Sequence, residues 1–152
     1  MKKYRDSGTY ILVLQVLSDT KVNVGSLGLV ALERGYYFYV GSGKAGVSSR
    51  VKRHFAKRKN IYWHIDYITS SKKVIPLGYF YIPLIIEELL AIELSRRLKF
   101  INGFGSSDSR AQSHLFYCKD FKDGLLAIKR TLYSIFKKSS IGGDFCEHFK
   151  GF

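Results

Sequence analysis

Hydrophobic residues along the chain follow two spacings, one typical of strands and one typical of helices. Residues 9–17 (TYILVLQVL) are apolar and β-branched, which predicts a buried strand. After a turn signal, residues 21–25 and 27–35 predict two short strands that pair as a hairpin. The aromatic run at residues 36–41 (YYFYVG) favours another strand.

A helical spacing replaces this pattern at residue 47. Val47, Val51 and Phe55 lie four residues apart and define one apolar face, which predicts a helix over residues 47–58. Residues 61–69 (IYWHIDYIT) alternate again and predict a strand whose polar side chains share one face. Those side chains, His64 and Asp66, either steer a water or substrate in a cleft or form a structural hydrogen-bonded pair.

The remainder of the chain predicts two strands, two helices and a loop. Pro83 fits the first turn of a helix because that turn has no internal use for the N–H that proline lacks. The predicted elements are a strand at 74–82, a helix at 83–99, a loop at 102–110, a strand at 113–118 and an amphipathic helix at 124–136. With no repeats or linkers, residues 1–137 are expected to form one domain, followed by a loosely held tail at 138–152.

The chain carries a large positive charge. Twenty-five Lys and Arg residues against twelve Asp and Glu give a net charge of +13. Such a field suits phosphates or another anionic surface, although a soluble basic protein without a polyanion partner has the same composition.

Neither export nor membrane insertion is indicated by the sequence. The longest apolar run (IPLII) ends at Glu87 and Glu88, and the N-terminus lacks an apolar signal core. Cys118 and Cys146 match no metal or redox spacing, which fits a reducing compartment. We therefore expect a cytoplasmic protein that has no membrane partner.

The helix predicted at 47–58 lies in the most basic stretch of the chain. Between residues 44 and 59 there are seven Lys or Arg residues and no acidic residue. Such crowding costs stability unless an anion arrives, so either phosphates bind here or the helix has a solvated cationic face. The candidate nucleic-acid-binding residues are Lys44, Lys52, Arg53, Lys57, Arg58 and Lys59.

Three further residues suggest chemistry. Arg50 and His54 stand four apart on a helix, where a guanidinium can grip a phosphate and an imidazole can move a proton. Glu93 is predicted to share an apolar helical stripe with leucines, and a carboxylate there needs a counter-cation. A Mg²⁺ ion or a neighbouring arginine would supply the positive charge.

A glycine pattern opens a competing interpretation. Gly41, Gly43 and Gly46 spell G-x-G-x-x-G between a predicted strand and helix, with Asp66 twenty residues further on. That pattern is typical of dinucleotide binding. The preceding strands look like antiparallel hairpins, however, and the chain has too few βα units for a doubly wound sheet.

Taken in order, the motifs resemble those of the GIY-YIG nuclease superfamily. Within it, the chain is most similar to a largely uncharacterised, mostly archaeal branch that has WHIDY and GFGSSD motifs. The resemblance spans residues 7–117, and these segments carry it: Gly8-Thr9-Tyr10 and Tyr39-Val40-Gly41 as the two tripeptides, VGSLG at 24–28 between them, Arg50 and His54 on the following helix, YWHIDYI at 62–68, Glu93, and GFGSSD with SHLFY at 103–117.

The resemblance implies an α+β fold with a small, mainly antiparallel central sheet flanked by helices. Residues 21–34 would add a β-hairpin that typical members lack, and Thr9 replaces the usual isoleucine. Ser109 and Ala111 stand where the branch often carries cysteines, so any metal or redox role of those cysteines is absent.

The implied activity is metal-dependent endonuclease cleavage of phosphodiester bonds, with structured or damaged DNA favoured over RNA as the substrate. Glu93 would hold Mg²⁺ or Mn²⁺, and Arg50 would stabilise the phosphate in the transition state. Tyr10, aided by Tyr39 or His54, would deprotonate the attacking water, provided that nearby cations lower its pKa. The same cleft would include Gly41, His64, Asp66, Ser107, Asp108 and His114. The alternative is a nucleic-acid-binding module that kept the scaffold without catalysis.

Overall fold

Within residues 6–138, a five-stranded antiparallel sheet forms the centre and four helices flank it, so the predicted α+β class is confirmed. The computed structural model describes residues 6–138. The strands are β1 (Gly8–Val16), β2 (Thr20–Asn23), β3 (Leu29–Leu32), β4 (Gly35–Gly43), β5 (Val74–Ile82), β6 (Lys99–Phe100) and β7 (Leu115–Cys118). The helices are α1 (Val47–Phe55), α2 (His64–Thr69), α3 (Glu87–Leu94) and α4 (Phe121–Lys138).

The strand order brings the two tripeptide motifs together. The sheet runs β5-β1-β4-β7-β6, and β2 and β3 form the separate hairpin that the sequence predicted. In the β1–β4 register, Tyr10 lies opposite Gly41, and Gly8 lies opposite Gly43. The start of one strand therefore lies beside the end of the other, next to the N-terminus of α1.

Side chains of β1 alternate between two cores on opposite faces of the sheet. Tyr10, Leu12 and Leu14 point to the core that contains residues of α1 and α2, which we call the α1 face. Ile11 and Val13 point to the core that contains residues of α3 and α4, which we call the α4 face. This division decides which candidate residues can meet.

The prediction of a strand at residues 61–69 was wrong, because residues 64–69 form α2. Its buried residues include Ile65, Ile68 and Thr69, a helical spacing that the polar alternation concealed. Asp66 stabilises the first turn, where its Oδ2 accepts a hydrogen bond from the N–H of Trp63 at 3.0 Å. His64 and Asp66 consequently do not share a strand face.

Two predicted helices are shorter than expected. The first ends at Phe55 rather than at residue 58, and Phe55 is exposed while His54 takes the buried position. The second begins at Glu87, after a bend that contains Pro83, and ends at Leu94.

Of the tail predicted at residues 138–152, all but Lys138 lies outside the described residues. Within residues 6–138, no helix combines the length and the apolar character needed to cross a bilayer.

Candidate active site

A buried tyrosine–histidine pair forms the centre of the candidate site. The Tyr10 hydroxyl of β1 lies 2.7 Å from Nε2 of His54 on α1, and each residue is 1% exposed. The pairing depends on α1 crossing the sheet, since the two residues are far apart in sequence. Two side chains that can exchange a proton are thus held within hydrogen-bonding distance.

Burial keeps both members of this pair uncharged at neutral pH. It raises the pKa of Tyr10 well above its usual value, and the charge of Arg50 opposes the shift without reversing it. Burial lowers the pKa of His54 to about 4, and the charge of Lys59 adds to this effect. The side-chain cations alone therefore do not lower the pKa of Tyr10, because desolvation outweighs them.

Tyr39 completes an aromatic cluster around the pair. Its ring centroid lies 6.3 Å from that of Tyr10 and 5.9 Å from that of His54, the latter in an edge-on arrangement. Phe104 from the loop before β7 packs against its other side at 6.2 Å. Burial also raises the pKa of Tyr39, so its hydroxyl stays protonated.

Arg50 lies beside this aromatic cluster. Its Nη1 donates a 2.6 Å hydrogen bond to the carbonyl of Ser42 at the end of β4. Its charge acts on both Tyr10 and Tyr39, which places the guanidinium close to their hydroxyls. Arg50 and His54 therefore do face one site, as their helical spacing predicted.

Each glycine of the G-x-G-x-x-G pattern is required by close packing or by its backbone conformation. A Cβ on Gly41 would lie 2.5 Å from the Tyr10 hydroxyl, so this glycine makes room for the catalytic candidate. A Cβ on Gly43 would lie 2.7 Å from the backbone at Gly46 and Val47. Gly46 itself has φ +146°, a conformation that favours glycine. Each glycine has a local reason that requires no dinucleotide.

Glu93 does not join the site, so its predicted position there was wrong. It lies on α3, whose residues Leu90, Ala91 and Leu94 pack into the core of the α4 face. The buried stripe of α3 is thus rotated from the predicted one, and Glu93 falls in a groove beside α4. There it forms an ion pair with Arg96 at 3.3 Å.

Glu87 is the carboxylate that approaches the site instead. The buried Thr9 hydroxyl donates to the Leu84 carbonyl at 2.7 Å and accepts from the Ile86 N–H at 2.9 Å. These bonds hold the start of α3 against β1. The negative charge of Glu87 adds to the burial that raises the pKa of both Tyr10 and Tyr39.

A cavity of about 490 Å³ connects Glu87 with the end of β4. His114 lines it, with Nδ1 located 3.6 Å from Oε1 of Glu87 and Nε2 located 3.1 Å from the Ser109 hydroxyl. Of the predicted cleft residues, Asp108 and His114 line this cavity, whereas Ser107 lies exposed on the loop. Its polar lining includes Ser42, Lys44, Glu87, Glu88, Asp108, Ser109 and His114.

Three of the predicted nucleic-acid-binding cations have partners within the protein. Arg53 forms an ion pair with the buried Asp66 at 2.7 Å. The ammonium of Lys57 donates to three backbone carbonyls, and that of Lys59 donates to the Thr69 hydroxyl and to carbonyls at the end of α1. Lys44, Lys52 and Arg58 are exposed to solvent, so their charges stay available.

The other cleft candidates, His64 and Asp66, are separated in function. Nδ1 of His64 accepts a 3.0 Å hydrogen bond from the N–H of Gly105 and so anchors the loop over Tyr39. Asp66 is fully buried beneath Arg53. Within residues 6–138, neither side chain forms a hydrogen bond with Tyr10 or His54.

The described residues contain no cluster of metal-ligating side chains. Within residues 6–138, no three His, Cys, Asp or Glu side chains are arranged to hold an ion. A site with one protein carboxylate is a different case, because Mg²⁺ often keeps waters and takes substrate phosphates as its other ligands.

Four positions of interest were not singled out from the sequence. Thr9 contacts the residues before Glu87 only through the fold, although a glutamate in the first turn of a helix was a partial signal. Tyr62 and Trp63 are exposed beside Arg50 and Arg53, a surface that a strand assignment obscured.

Comparison with known proteins gives one match. Residues 9–137 match a protein family described as "Domain of unknown function DUF123". No curated protein and no solved structure matches the chain significantly.

Proposed function

The chain belongs to the DUF123 family, whose description names no activity, and from the geometry of its site we propose that it is a metal-dependent endonuclease. The observation that carries the proposal is the contact of Tyr10 with His54 beside Arg50, next to exposed cations. The motif resemblance to GIY-YIG nucleases agrees with this assignment and favours DNA, structured or damaged, over RNA.

Arg50 is suited to hold the scissile phosphate. Its guanidinium carries donors that match two non-bridging oxygens, and its bond to the Ser42 carbonyl fixes its direction. As negative charge grows on those oxygens, a preoriented cation stabilises the transition state more than the ground state.

His54 and Tyr10 are suited to move a proton. In the arrangement where the Tyr10 hydroxyl donates to Nε2, the neutral imidazole is ready to accept that proton. A water that passes a proton to the phenol oxygen then transfers one proton, through Tyr10, to His54. The pair works as a relay, so Tyr10 does not need a lowered pKa.

Glu87 fits the role of metal ligand better than Glu93. Its carboxylate lies in a polar cavity beside the site, while that of Glu93 is ion-paired on α3 beside α4. When bound, Mg²⁺ or Mn²⁺ supplies a Lewis acid that neutralises charge on the phosphate and the leaving oxygen. Thr9 positions Glu87 by holding the start of α3.

A matched pair of variants tests this assignment. The purified chain is incubated with branched, nicked and single-stranded DNA and with RNA, in Mg²⁺, Mn²⁺ or EDTA. We expect cleavage in metal only, reduced about 10²- to 10³-fold in Glu87→Gln and unchanged in Glu93→Gln. The reverse result, with Glu93→Gln inactive and Glu87→Gln active, would contradict the role of Glu87.

The second candidate is a nucleic-acid-binding module without catalysis. It is favoured by the burial of Tyr10 and His54, each of which is only 1% exposed. Salt-sensitive binding without cleavage of any substrate would support this module. Absence of both binding and cleavage at low salt would overturn both candidates.

A further inference from the structure

Two adjacent aromatic side chains lie exposed beside the candidate site. Tyr62 is 72% exposed and Trp63 is 40% exposed, and their ring centroids are 6.3 Å apart. Both precede α2, in the connection that leads back from α1. We call these two residues the aromatic platform.

Guanidinium groups lie against the platform. The Cζ atom of Arg50 is 4.7 Å from the Trp63 ring centroid, and that of Arg53 is 5.1 Å from it. Arg53 is also 5.0 Å from the Tyr62 ring centroid. Flat π surfaces interleaved with cations are suited to a ligand that combines a planar ring with negative charge.

A buried carboxylate holds the platform in place. Oδ2 of Asp66 accepts hydrogen bonds from the N–H groups of Tyr62 and Trp63, at 2.9 and 3.0 Å, and from Arg53 at 2.7 Å. Asp66 has no exposed surface. Because one oxygen accepts from both backbone N–H groups and from Arg53, the backbone of the platform is ordered before a ligand binds.

Arg50 connects the platform to the candidate site. It contacts Trp63 on one side and the Ser42 carbonyl on the other, near Tyr10. A phosphate bound by Arg50 therefore brings its neighbouring nucleotide to the rings of Tyr62 and Trp63. Bases inside a duplex are already stacked on each other, so only an unpaired base can use this surface.

We propose that Tyr62 and Trp63 stack an unpaired nucleobase next to the phosphate held by Arg50, so that the protein selects nucleic acid with single-stranded or unpaired positions. This inference rests on the proposed function for the identity of the ligand. The inference adds a substrate class and two binding residues to the proposed function.

Trp63 is the only tryptophan of the chain, so its fluorescence reports on the platform directly. The wild-type chain is titrated in EDTA with a single-stranded oligonucleotide, the matching blunt duplex, and inorganic polyphosphate. We expect quenching by the single strand, weaker quenching by the duplex, and none by polyphosphate. Equal quenching by single strand and duplex would overturn the proposal. Stronger quenching by vesicles of anionic lipid would also overturn it and would indicate a lipid surface.

Variants measured by anisotropy of a labelled oligonucleotide provide the second arm. Stacking on an aromatic side chain predicts a loss of single-strand affinity of about 5- to 100-fold in Tyr62→Ala and Trp63→Ala, with a smaller loss for duplex. Trp63→Phe should keep most of the single-strand affinity that Trp63→Ala loses. The matched control is Tyr133→Ala, since Tyr133 is also exposed beside a cation, Lys137, but lies on α4. Unchanged single-strand affinity in both folded platform variants would overturn the proposal.

The two proposals fail in different ways. If the wild-type chain stacks single strands but cleaves nothing in metal, the endonuclease proposal fails and the platform stands. If Tyr62→Ala and Trp63→Ala cleave single-stranded and duplex substrates in the wild-type ratio, the platform fails and the endonuclease proposal stands.

Discussion

At the scale of single residues, the site depends on a glycine that leaves space for a tyrosine. Gly41 on β4 lies opposite Tyr10 on the neighbouring strand β1, and a Cβ on Gly41 would lie 2.4 Å from the Tyr10 ring. That distance is far below a normal contact, so Tyr10 would have to move away from His54. The second tripeptide motif therefore ends in glycine for a steric reason.

Replacing Gly41 by alanine tests this steric argument. We expect Gly41→Ala to lower the free energy of unfolding by about 1–3 kcal/mol, as overpacking a buried site usually does. Gly78→Ala is the control, because a Cβ on Gly78 has no atom within 4 Å, and its effect should stay within about 0.5 kcal/mol. Urea denaturation measures both, and equal effects would show that the contact with Tyr10 is not responsible.

The buried His54 predicts a pH dependence of stability. Its pKa is about 4 in the folded protein and near 6.5 when exposed, so the unfolded chain binds more protons between these values. The stabilisation is complete above pH 6.5 and is lost as the pH falls towards 4, by about 3 kcal/mol in total.

Comparing His54→Gln with the wild type isolates this contribution. Urea denaturation from pH 7.5 to 4 should show a clearly shallower decline in the variant. Asp66, whose pKa lies below its usual 3.8 although burial alone would raise it, contributes its own loss only at lower pH. A decline of the same steepness in both proteins would refute the assignment to His54.

At the scale of elements, some lysines of the basic stretch donate hydrogen bonds to backbone carbonyls at the ends of helices. These side chains link elements and are not free to bind a ligand. The Lys57 ammonium donates to the carbonyls of Thr69 and Ser71 at 3.0 Å and of Val74 at 2.6 Å. It thereby ties the end of α1 to the turn between α2 and β5. Charge counting alone treats this lysine and the exposed Lys52 as equivalent.

The pair Lys57→Met and Lys52→Met separates the two roles. We expect Lys57→Met to cost about 1–2 kcal/mol of unfolding free energy, since carbonyls lose their partner. Lys52→Met should leave stability unchanged but reduce the slope of log affinity for DNA against log salt by about one. Thermal melts and binding titrations at several salt concentrations measure these effects. A smaller slope in Lys57→Met with unchanged stability would contradict the structural role.

Besides the short strand β6, sequence reasoning missed the helix α2. Its polar residues His64 and Asp66 alternate with apolar ones, which matches a strand over so few residues as well as one face of a helix. The deciding feature is tertiary, since Asp66 is neutralised by Arg53 from α1. A local pattern cannot include a partner from another helix.

At the scale of the whole molecule, the packing of α3 decides which of two glutamates lies near the candidate site. Residues that precede α3 are held to β1 by Thr9, so Glu87 lies near the end of the sheet where the tyrosines meet. Glu93 follows along the same helix and lies beside α4. The packing of α3 therefore favours Glu87 over Glu93 as the proposed metal ligand, although the helix itself was predicted.

The sequence by itself determined the α+β class, the hairpin of β2 and β3, most element positions and the pairing of Arg50 with His54 on one helix. The α+β class follows from the motif resemblance, and the other features follow from local periodicity and turn chemistry, which act between residues close in the chain. The tertiary structure alone decided the contact of Tyr10 with His54 and the direction of their pKa shifts. It also decided that Glu87 rather than Glu93 lies beside the candidate site, and that Tyr62 and Trp63 are exposed. Burial and long-range contacts set these properties, and both depend on how the elements pack across the two faces of the sheet.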